Sequence, residues 1–246
     1  MSANVVIVGA TSAIAASFAR ERARRGDRLH LLARDDDELK RISADLQTRY
    51  NVRVTSSQID ACDATTYAEA FQTSLLSLGS IDGIFFALGH LGDQSEAEQE
   101  PLAAEQIAMV NYLSAVSFLT ICAKHLEKQK KGFIVAVSSV AGDRGRPSNY
   151  VYGSSKGALS LFVQGLRARM FKHGVHVMTV KPGFVDTKMT FGKEGMFLVA
   201  DPDAVGKSIA RALDAKKDVI YVPAFWGLIM LIIRSIPEPV FKRMKL

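Results

Sequence analysis

A tyrosine and a lysine four residues apart, Tyr152 and Lys156, are the side chains in this sequence best suited to acid–base chemistry. On a helix, positions i and i+4 lie on one face, which brings the phenol beside the ammonium. A nearby cation favours the phenolate, so the pair predicts a Tyr152 pKa below its ordinary value of about 10. Such a tyrosine can protonate a carbonyl oxygen, or deprotonate an alcohol, while a hydride is transferred. Tyr150 lies six residues before Lys156 and falls on another face.

Short apolar segments alternate with longer helical patterns along the chain, and these elements must position the pair. The predicted strands are Asn4–Val8, Arg28–Ala33, Val52–Ile59, Ile81–Leu88, Phe133–Ser138, His176–Lys181 and Val219–Val222. The predicted helices lie near 13–25, 36–50, 65–78, 103–128, 151–172 and 202–214. This alternation predicts one α/β domain over 1–246, a Rossmann-type doubly wound parallel sheet of about seven strands with helices on both faces. Ligands of such sheets bind beyond the carboxyl ends of the strands.

Composition is that of an ordinary globular protein, with 48% hydrophobic and 23% charged residues in 246. The net charge of +6 is scattered and has no interleaved aromatic residues, which argues against a nucleic-acid partner. Cys62 and Cys122 are too few for a disulfide scaffold and lack metal-ligand spacing, so reduced, buried thiols and no metal are expected. The N-terminal residues resemble a strand rather than a signal segment, which favours a cytoplasmic protein.

The first strand leads into a turn, Gly9-Ala-Thr11-Ser12-Ala13-Ile14, that opens a helix. A glycine at the strand end allows the tight turn, and the helix N-terminus offers free N–H groups to a pyrophosphate. A dinucleotide fingerprint would have glycines at positions 13 and 15, where this chain has alanines. A dinucleotide-binding turn is therefore predicted, and a tight turn that binds nothing is the alternative.

The second strand ends at Arg34, where an acidic residue would bind the ribose of NAD. Arg34 could instead neutralise the 2′-phosphate of NADP, with Thr11 or Ser12 as helpers. Asp35, Asp36 and Asp37 follow at once, and capping of the next helix is the role we expect for them. The cofactor predicted here is NADP(H), with NAD(H) as the alternative.

The third strand ends in a short polar segment, Asp60-Ala61-Cys62-Asp63. Asp60, followed by Ala61, could accept a hydrogen bond from the adenine amino group of a cofactor. Asp63 better fits a helix cap. The segment predicts the adenine end of the site.

Together these residues resemble the short-chain dehydrogenase/reductase family over nearly the whole chain. The Gly9 turn is similar to the family's cofactor loop, and Tyr152 with Lys156 to its catalytic pair. Ser139 lies thirteen residues before Tyr152, the spacing that the family uses. Asn111 matches the family's helix asparagine. The order and separation of these elements make the resemblance specific.

The resemblance implies a role for each of these side chains. Tyr152 would be the general acid or base, and Lys156 would lower its pKa and bind the nicotinamide ribose. Ser139 would donate to the substrate oxygen. Asn111 would hold a water that relays protons to Lys156. Two alternatives stay open: Ser138 could replace Ser139, and Asn111 could only bridge backbone groups inside its helix.

Two further segments match the family's cofactor site. Pro182-Gly183-Phe-Val185-Asp-Thr187 resembles the nicotinamide-side loop, in which the Val185 backbone and the Thr187 hydroxyl would fix the carboxamide, unless Thr187 only caps a short helix. Phe85-Phe-Ala-Leu-Gly89 stands where the family usually has Asn-Asn-Ala-Gly, and Gly89 would lie against the cofactor. Hydrogen bonds that the missing asparagines would supply must therefore come from other residues.

The loop after Thr187 resembles the family's substrate lid in position. Its apolar residues suggest an apolar substrate surface, and simple packing of the loop is the alternative: Met189, Phe191, Met196, Phe197 and Leu198.

The C-terminal tail, 224–246, has ten apolar residues followed by basic ones. Ten apolar residues are too few for a helix that spans a bilayer, which needs about 20. It could lie in a membrane interface, or pack against its own domain or a sister subunit. Family reductases that act on polyprenyl-phosphate-linked keto-sugars resemble this chain in having such a tail, which makes a lipid-linked substrate a candidate.

The function predicted is an NADPH-dependent carbonyl reductase that is reversible as an alcohol dehydrogenase, acting on a ketone or secondary alcohol. A non-catalytic NADP(H)-binding regulatory protein on the same fold is the alternative. A nucleotide-sugar epimerase is disfavoured, because only about 60 residues follow Pro182, too few for its usual substrate lobe. The family resemblance also implies a homodimer or homotetramer.

Overall fold

The structure, a computed structural model, describes residues 2–187 and 198–244. Seven parallel strands form one sheet in the order β3-β2-β1-β4-β5-β6-β7, which confirms the doubly wound α/β fold. The strands are β1 (Asn4–Val8), β2 (Arg28–Ala33), β3 (Val54–Gln58), β4 (Gly83–Phe86), β5 (Gly132–Val137), β6 (Val175–Pro182) and β7 (Val219–Val222). The α-helices are α1 (Ala13–Arg24), α2 (Asp36–Tyr50), α3 (Tyr67–Leu78), α4 (Gln94–Gln99), α5 (Pro101–Ala108), α6 (Ser114–Gln129), α7 (Tyr150–Phe171), α8 (Pro202–Asp214), α9 (Trp226–Ser235) and α10 (Glu238–Phe241).

Most predicted elements occur within two residues of their expected bounds, and one helix differs in kind. The single helix predicted over 103–128 is α5 and α6 joined by a π-helical turn, Met109–Leu113, and is preceded by the short helix α4. Pro101 occupies the first turn of α5, where its missing N–H costs no hydrogen bond. The π turn widens the helical backbone at Asn111. The spacing of hydrophobic residues in the sequence does not reveal this turn.

Helices cover both faces of the sheet, so the central strands are apolar at every position. Val5–Val8 of β1 is fully buried, because one face packs on α1, α2 and α8 and the other on α3, α6 and α7. Phe18 of α1 stacks on Phe85 of β4 with ring centroids 4.2 Å apart. Phe85, in the segment that differs from the family's Asn-Asn-Ala-Gly, is thus part of buried aromatic packing.

The helical segment Pro101–Gln129 is long and apolar enough to cross a membrane by length and composition alone. Its Phe118, Leu119 and Cys122 side chains are fully buried against the sheet, as in a core helix. Cys62 differs from the expectation of two buried thiols, because it follows β3 on the surface and is exposed.

The C-terminal tail packs against the domain through one face of α9. Trp226 and Met230 are buried and contact Val140, next to the carboxyl end of β5. The opposite face carries Leu228 and Leu231, whose side chains are 64% and 61% exposed. Helix α9 is therefore apolar on both sides, and only one side is covered by the described part of the chain.

Candidate active site

A cavity of about 960 Å³ opens at the carboxyl edge of the sheet, where the predicted site residues were expected to meet. Its walls include thirteen of them: Gly9, Thr11, Ser12, Ala13, Ile14, Gly89, Ser139, Tyr152, Lys156, Pro182, Gly183, Val185 and Thr187. Four others, Arg34, Asp60, Ala61 and Asn111, lie outside these walls. The cavity thus runs from the turn after β1 to the loop after β6.

The turn after β1 has the geometry of an anion cradle. Gly9 adopts φ 77°, and a Cβ atom there would lie 2.8 Å from the Ala87 carbonyl, so glycine is required. Ser12 is the N-cap of α1, and its hydroxyl accepts a hydrogen bond from the Ala15 N–H at 3.3 Å. The other N–H groups of the first turn have no acceptor within the helix and carry its positive dipole end. A dinucleotide pyrophosphate fits this turn.

Arg34 extends from the end of β2 as an exposed guanidinium. None of the ion pairs in residues 2–187 and 198–244 involves it. The capping role expected for Asp35 is confirmed, because its carboxylate accepts from the Glu38 N–H at 3.0 Å. Asp36 pairs with Lys40, which leaves Arg34 available to an anion.

The polar segment after β3 is held by its own backbone. Asp60 accepts a hydrogen bond from the Cys62 N–H at 2.8 Å. The capping role expected for Asp63 is confirmed, since its carboxylate accepts from the Thr65 N–H at 3.0 Å. Ala61 is fixed through its carbonyl, which accepts from the Tyr67 hydroxyl at 2.7 Å. Asp60 and Ala61 lie beyond the cavity wall, on the side of β2 and β3.

Lys156 lies buried between the ends of two central strands. Its ammonium donates to the Val137 carbonyl at 3.1 Å and to the Leu88 carbonyl at 3.3 Å. Burial lowers the pKa of Lys156 to about 8. Two of its three donors hold the loop after β4 to the end of β5, and the third remains for a ligand in the cavity.

The Tyr152 phenol is not activated in the way that the sequence suggested. Its ring centroid lies 6.0 Å from the Lys156 Nζ atom. Burial raises the pKa of Tyr152 to about 12, and a hydrogen bond with Ser139 lowers it by less. The expectation of a lowered pKa is therefore wrong for this structure, because the ammonium is directed to two carbonyls and burial disfavours the anionic form of the phenol.

Of the two serines that end β5, Ser139 is the one joined to the tyrosine. Ser139 hydrogen-bonds Tyr152 and also accepts from the Ala141 N–H at 3.1 Å. The Ser138 hydroxyl donates to the Lys156 carbonyl at 2.8 Å and lies 2.7 Å from the Ser160 hydroxyl. Ser138 thus fastens α7 to β5, and this division of contacts favours Ser139 for the chemistry.

Asn111 is fully buried in the π turn, and its amide reaches the loop after β4. The side-chain NH₂ donates to the carbonyls of His90 at 2.7 Å and Ile107 at 2.9 Å, and its oxygen accepts from the His90 N–H at 2.9 Å. The alternative of bridging only within its own helix is wrong, since two of the three bonds leave it. This loop also supplies the Leu88 carbonyl, so Asn111 is linked to Lys156 through the backbone.

Close backbone contacts set the distance between the Ser139 turn and α7. A Cβ atom on Gly142 would lie 2.6 Å from the Gly157 nitrogen, and one on Gly153 would lie 2.8 Å from the Ala141 carbonyl oxygen. Only glycine at these positions lets the turn approach the helix that carries Tyr152. The sequence shows these glycines, but not that they face each other.

The loop after β6 is fixed on one side by backbone bonds and on the other by the tail. Ala200 pairs with it through the Asp186 N–H at 3.0 Å and the Phe184 carbonyl at 2.9 Å. Trp226 lines the cavity and meets Phe184 edge-on, with ring centroids 5.6 Å apart. Trp226 was not predicted as a site residue, although a single tryptophan at the beginning of an apolar tail was a usable signal.

Two arginines between Ser139 and α7 were also missed. Arg144 donates to the carbonyls that end α9, and Arg146 lines the cavity. Their position between two predicted catalytic residues was the available signal. Of the predicted lid residues, Met189, Phe191, Met196 and Phe197 lie outside the described residues, and Leu198 is exposed.

The sequence of this chain is similar to those of known proteins. The model of the family described as short chain dehydrogenase matches residues 3–195. An uncharacterized oxidoreductase of Streptomyces coelicolor is 34% identical over 242 residues, covering 98% of this chain and 95% of its own.

Two solved structures share the fold. A short-chain dehydrogenase from Sphingobium yanoikuyae in complex with NADPH has a TM-score of 0.80 at 24% identity, covering 95% of this chain and 96% of its own. A bulky-bulky ketone specific alcohol dehydrogenase from Comamonas testosteroni has a TM-score of 0.81 at 22% identity, covering 97% and 96%.

Proposed function

Since the chain belongs to the short chain dehydrogenase family of oxidoreductases, we propose that it reduces a ketone with NADPH and oxidises the corresponding secondary alcohol in reverse. The observation that carries the proposal is the meeting of the Ser139 and Tyr152 hydroxyls at one cavity, next to the buried Lys156 ammonium. A carbonyl oxygen placed between two hydroxyl donors is polarised toward hydride acceptance.

The nicotinamide, when bound, supplies or accepts the hydride. Ser139 donates to the carbonyl oxygen and positions it, while Tyr152 transfers a proton to the same atom. A Tyr152 pKa of about 12 keeps the phenol protonated at neutral pH, which suits reduction. The tyrosinate left after proton transfer lies near the Lys156 ammonium, and the two opposite charges stabilise each other.

Lys156 and Asn111 act before and after the proton transfer. The free donor of Lys156 would bind the nicotinamide ribose, and its pKa of about 8 lets the ammonium pass a proton onward near neutral pH. Asn111 holds the loop that carries the Leu88 carbonyl, one of the two acceptors of Lys156. A proton relay through water at Asn111 remains part of the proposal.

NADP(H) is the cofactor that we propose over NAD(H). Arg34 supports this choice, because it is exposed at the end of β2 and has no acidic partner in the described ranges, as a 2′-phosphate site requires. Glu38 also lines the cavity, but its carboxylate is paired with Arg41. The Sphingobium yanoikuyae structure, which contains NADPH, is consistent with the same choice.

The test of the chemistry is Tyr152→Phe beside Tyr150→Phe. Both tyrosines lie in the first turn of α7, but Tyr150 is 45% exposed and is absent from the described cavity wall. NADPH oxidation with a panel of ketones should fall about 100- to 10,000-fold in Tyr152→Phe and stay near wild type in Tyr150→Phe. NADPH binding should survive in both variants.

Two outcomes would contradict the proposal. Turnover in Tyr152→Phe close to wild type would remove the tyrosine from the chemistry. Tight NADPH binding by the wild-type protein with no turnover of any ketone or secondary alcohol would favour a regulatory protein on this fold.

For the tail, we propose that the outer face of α9 contacts an anionic lipid surface. Leu228, Leu231 and Ile232 project from one side of the helix with 64%, 61% and 59% of their surfaces exposed. Lys242 and Arg243 follow as exposed cations. Apolar side chains beside basic ones are the pattern of a helix that lies in a membrane interface.

Liposome flotation tests the tail. The wild type should float with vesicles containing phosphatidylglycerol, and a Leu228→Gln/Leu231→Gln/Ile232→Gln variant should stay in solution. Leu76→Gln/Leu102→Gln is the matched control, because these leucines are 83% and 76% exposed on other helices. A wild type that does not float would remove the proposal, and flotation of the triple variant would exclude this face.

A homo-oligomer is the remaining proposal on partners. Leu161 and Phe171 on α7 are 70% and 83% exposed, and Leu113 at the start of α6 is 44% exposed. Exposed apolar residues on neighbouring helices are suited to a self-complementary interface. Sedimentation should show a dimer or tetramer that Leu161→Lys dissociates, and a monomeric wild type would contradict it.

A further inference from the structure

Arg146 is a cation in the cavity wall, and no described residue neutralises it. It lies on the connection between β5 and α7, between Ser139 and Tyr152 in the chain. Its Nε atom is buried and has no hydrogen-bond partner among the residues that the structure describes. Across the described ranges it forms no ion pair, and burial lowers the pKa of its guanidinium.

Its neighbour Arg144 shows what a satisfied arginine looks like on the same loop. Arg144 donates to the carbonyls of Ile233, Arg234 and Ile236 at 2.9, 3.1 and 2.6 Å. It also pairs with Glu238 at 2.9 Å. The loop thus carries two arginines two residues apart, one saturated by the protein and one directed to the cavity.

The charges around the cavity point to an anion at Arg146. Among its described lining residues only Glu38 bears a carboxylate, and Glu38 lies at the start of α2 and is paired with Arg41. Arg146 precedes Tyr152 in the chain and Lys156 follows it. The segment between the two cations contains no acidic residue. Removing a guanidinium from water costs free energy unless an anion or acceptors pair with it.

A second polar atom in the same wall lacks a partner. The Oδ1 atom of Asn149, at the N-terminus of α7, is buried and accepts no hydrogen bond within 2–187 and 198–244. An amide oxygen accepts from hydroxyl or amine groups. The cavity wall therefore contains an unmatched donor and an unmatched acceptor, three residues apart in the chain.

We propose that the carbonyl substrate is anionic and hydroxylated, with its carboxylate or phosphate bound by Arg146 and a hydroxyl group bound by Asn149. This inference rests on the proposed function, because it assigns the substrate of the same site. Arginine pairs with carboxylate and phosphate through two parallel N–H donors, so it selects for an oxyanion rather than for polarity in general. The catalytic hydroxyls fix the carbonyl end, and Arg146 fixes the other.

Paired substrates test the anion directly. Acetoacetate, levulinate and longer homologues are compared with their methyl esters, and dihydroxyacetone phosphate with dihydroxyacetone, with NADPH saturating. Wild-type kcat/KM should favour the anionic member of at least one pair. Arg146→Gln should lower kcat/KM for that anion about 10- to 100-fold and leave the neutral member within about threefold. Arg146→Lys should recover only part of the loss, and Arg169→Gln, on the outer part of α7, should change neither.

The two kinds of substrate pair distinguish a carboxylate from a phosphate as the anion that Arg146 binds. A preference for the phosphate pair alone assigns a phosphate, and a preference for the oxo acids alone assigns a carboxylate. Equal turnover of acids and esters, or equal losses for both in Arg146→Gln, would overturn the proposal. Weaker NADPH binding in Arg146→Gln would also overturn it, since the residue would then serve the cofactor.

Binding without turnover separates this inference from the proposed function. Trp226 is the single tryptophan of the chain and lines the cavity, so its fluorescence reports occupancy. In Tyr152→Phe with NADPH, acetoacetate, levulinate or dihydroxyacetone phosphate should change the fluorescence with an affinity that Arg146→Gln weakens. Anion binding that depends on Arg146, in a protein that reduces no ketone, would retain the anion site and overturn only the reductase. Anion affinity that is unchanged in Arg146→Gln would overturn the anion site whatever the chemistry.

A variant of Asn149 tests whether this residue binds a hydroxyl group of the substrate. Asn149→Ala should raise KM for dihydroxyacetone phosphate and leave KM for levulinate, which has no hydroxyl, unchanged. An equal effect on both substrates would show that Asn149 acts on the cavity as a whole and would overturn its assignment to a hydroxyl.

Discussion

The indole of Trp226 lies against the backbone at Gly183 so closely that a Cβ atom at position 183 would overlap its Nε1 atom. The tail and the loop after β6 are therefore one packed unit at the cavity wall.

Gly183→Ala should displace Trp226 and destabilise the protein by about 1–3 kcal/mol, because the added methyl group has no space. Denaturant unfolding measures the loss, and Trp226 fluorescence should shift toward that of an exposed indole. Gly165→Ala is the control, since nothing lies within 4 Å of a Cβ atom there. Equal stability of the two variants would show that the tail moves aside without cost.

Arg144→Met should loosen the tail. The side chain caps the carbonyl end of α9 and also lies over the Phe241 ring, 3.8 Å from its centroid. Its loss should cost about 1.5–3 kcal/mol and make the segment beyond residue 223 sensitive to proteolysis. Arg49→Met removes an exposed ion pair with Asp45 and should behave like the wild type. Unchanged proteolysis in Arg144→Met would contradict the prediction.

Lys156→Met should stabilise the folded protein at neutral pH while abolishing efficient turnover. The folded pKa of Lys156, about 8, lies below its ordinary 10.5, so its contribution to stability is present above pH 10.5 and is lost as pH falls through 8. At pH 7 the substitution removes a penalty of up to about 3 kcal/mol, reduced by the two carbonyls that lose their donor. The gain should shrink between pH 8 and 10.5 in thermal melts. Lys172→Met, an exposed control just beyond α7, should show neither the gain nor its pH dependence.

The two directions of the reaction should respond differently to pH. Oxidation needs the Tyr152 phenolate, whose fraction rises about tenfold per pH unit below a pKa of about 12. Reduction needs the phenol and should stay level from pH 6 to 8, then decline as Lys156 loses its charge above about 8. Measurements of kcat/KM in both directions over pH 6–10 check this. Parallel profiles for oxidation and reduction would be inconsistent with Tyr152 as the proton carrier.

Arg34→Gln should weaken NADPH binding about 10- to 100-fold and leave NADH binding unchanged, because only NADPH carries the 2′-phosphate. Titration monitored by Trp226 fluorescence gives both affinities. Arg53→Gln is the matched control, since Arg53 is also exposed but precedes β3, at the amino ends of the strands. Equal effects of Arg34→Gln on the two cofactors would remove Arg34 from phosphate recognition.

Local patterns in the sequence were enough to predict the fold and thirteen residues of the cavity wall. Buried parallel strands are continuous apolar runs, and Gly9, Ser139 and Pro182 each follow such a run. What could not be predicted depends on contacts between distant segments. The i,i+4 spacing places Lys156 beside Tyr152 but does not show that the ammonium is bound by Val137 and Leu88.

The arginines and the tail show the same limit. Arg144 and Arg146 belong to one polar loop. Only the contacts of Arg144 with α9 distinguish its saturated side chain from that of Arg146. Helix α9 is apolar on two faces, so its composition could not indicate which face the domain covers. The role of Trp226 follows from its contact with Gly183, which lies more than forty residues away in the chain.

Strand order has a consequence for synthesis. β5, β6 and β7 each lie beside the strand that precedes them in the chain, so the ribosome makes them in the order in which they stand in the sheet. A growing chain therefore already contains the cofactor turn, Tyr152 and Lys156 before Trp226 has been translated. The nascent protein can form the cofactor-binding edge of the sheet first. The cavity wall at the substrate end, which includes Trp226, is completed last.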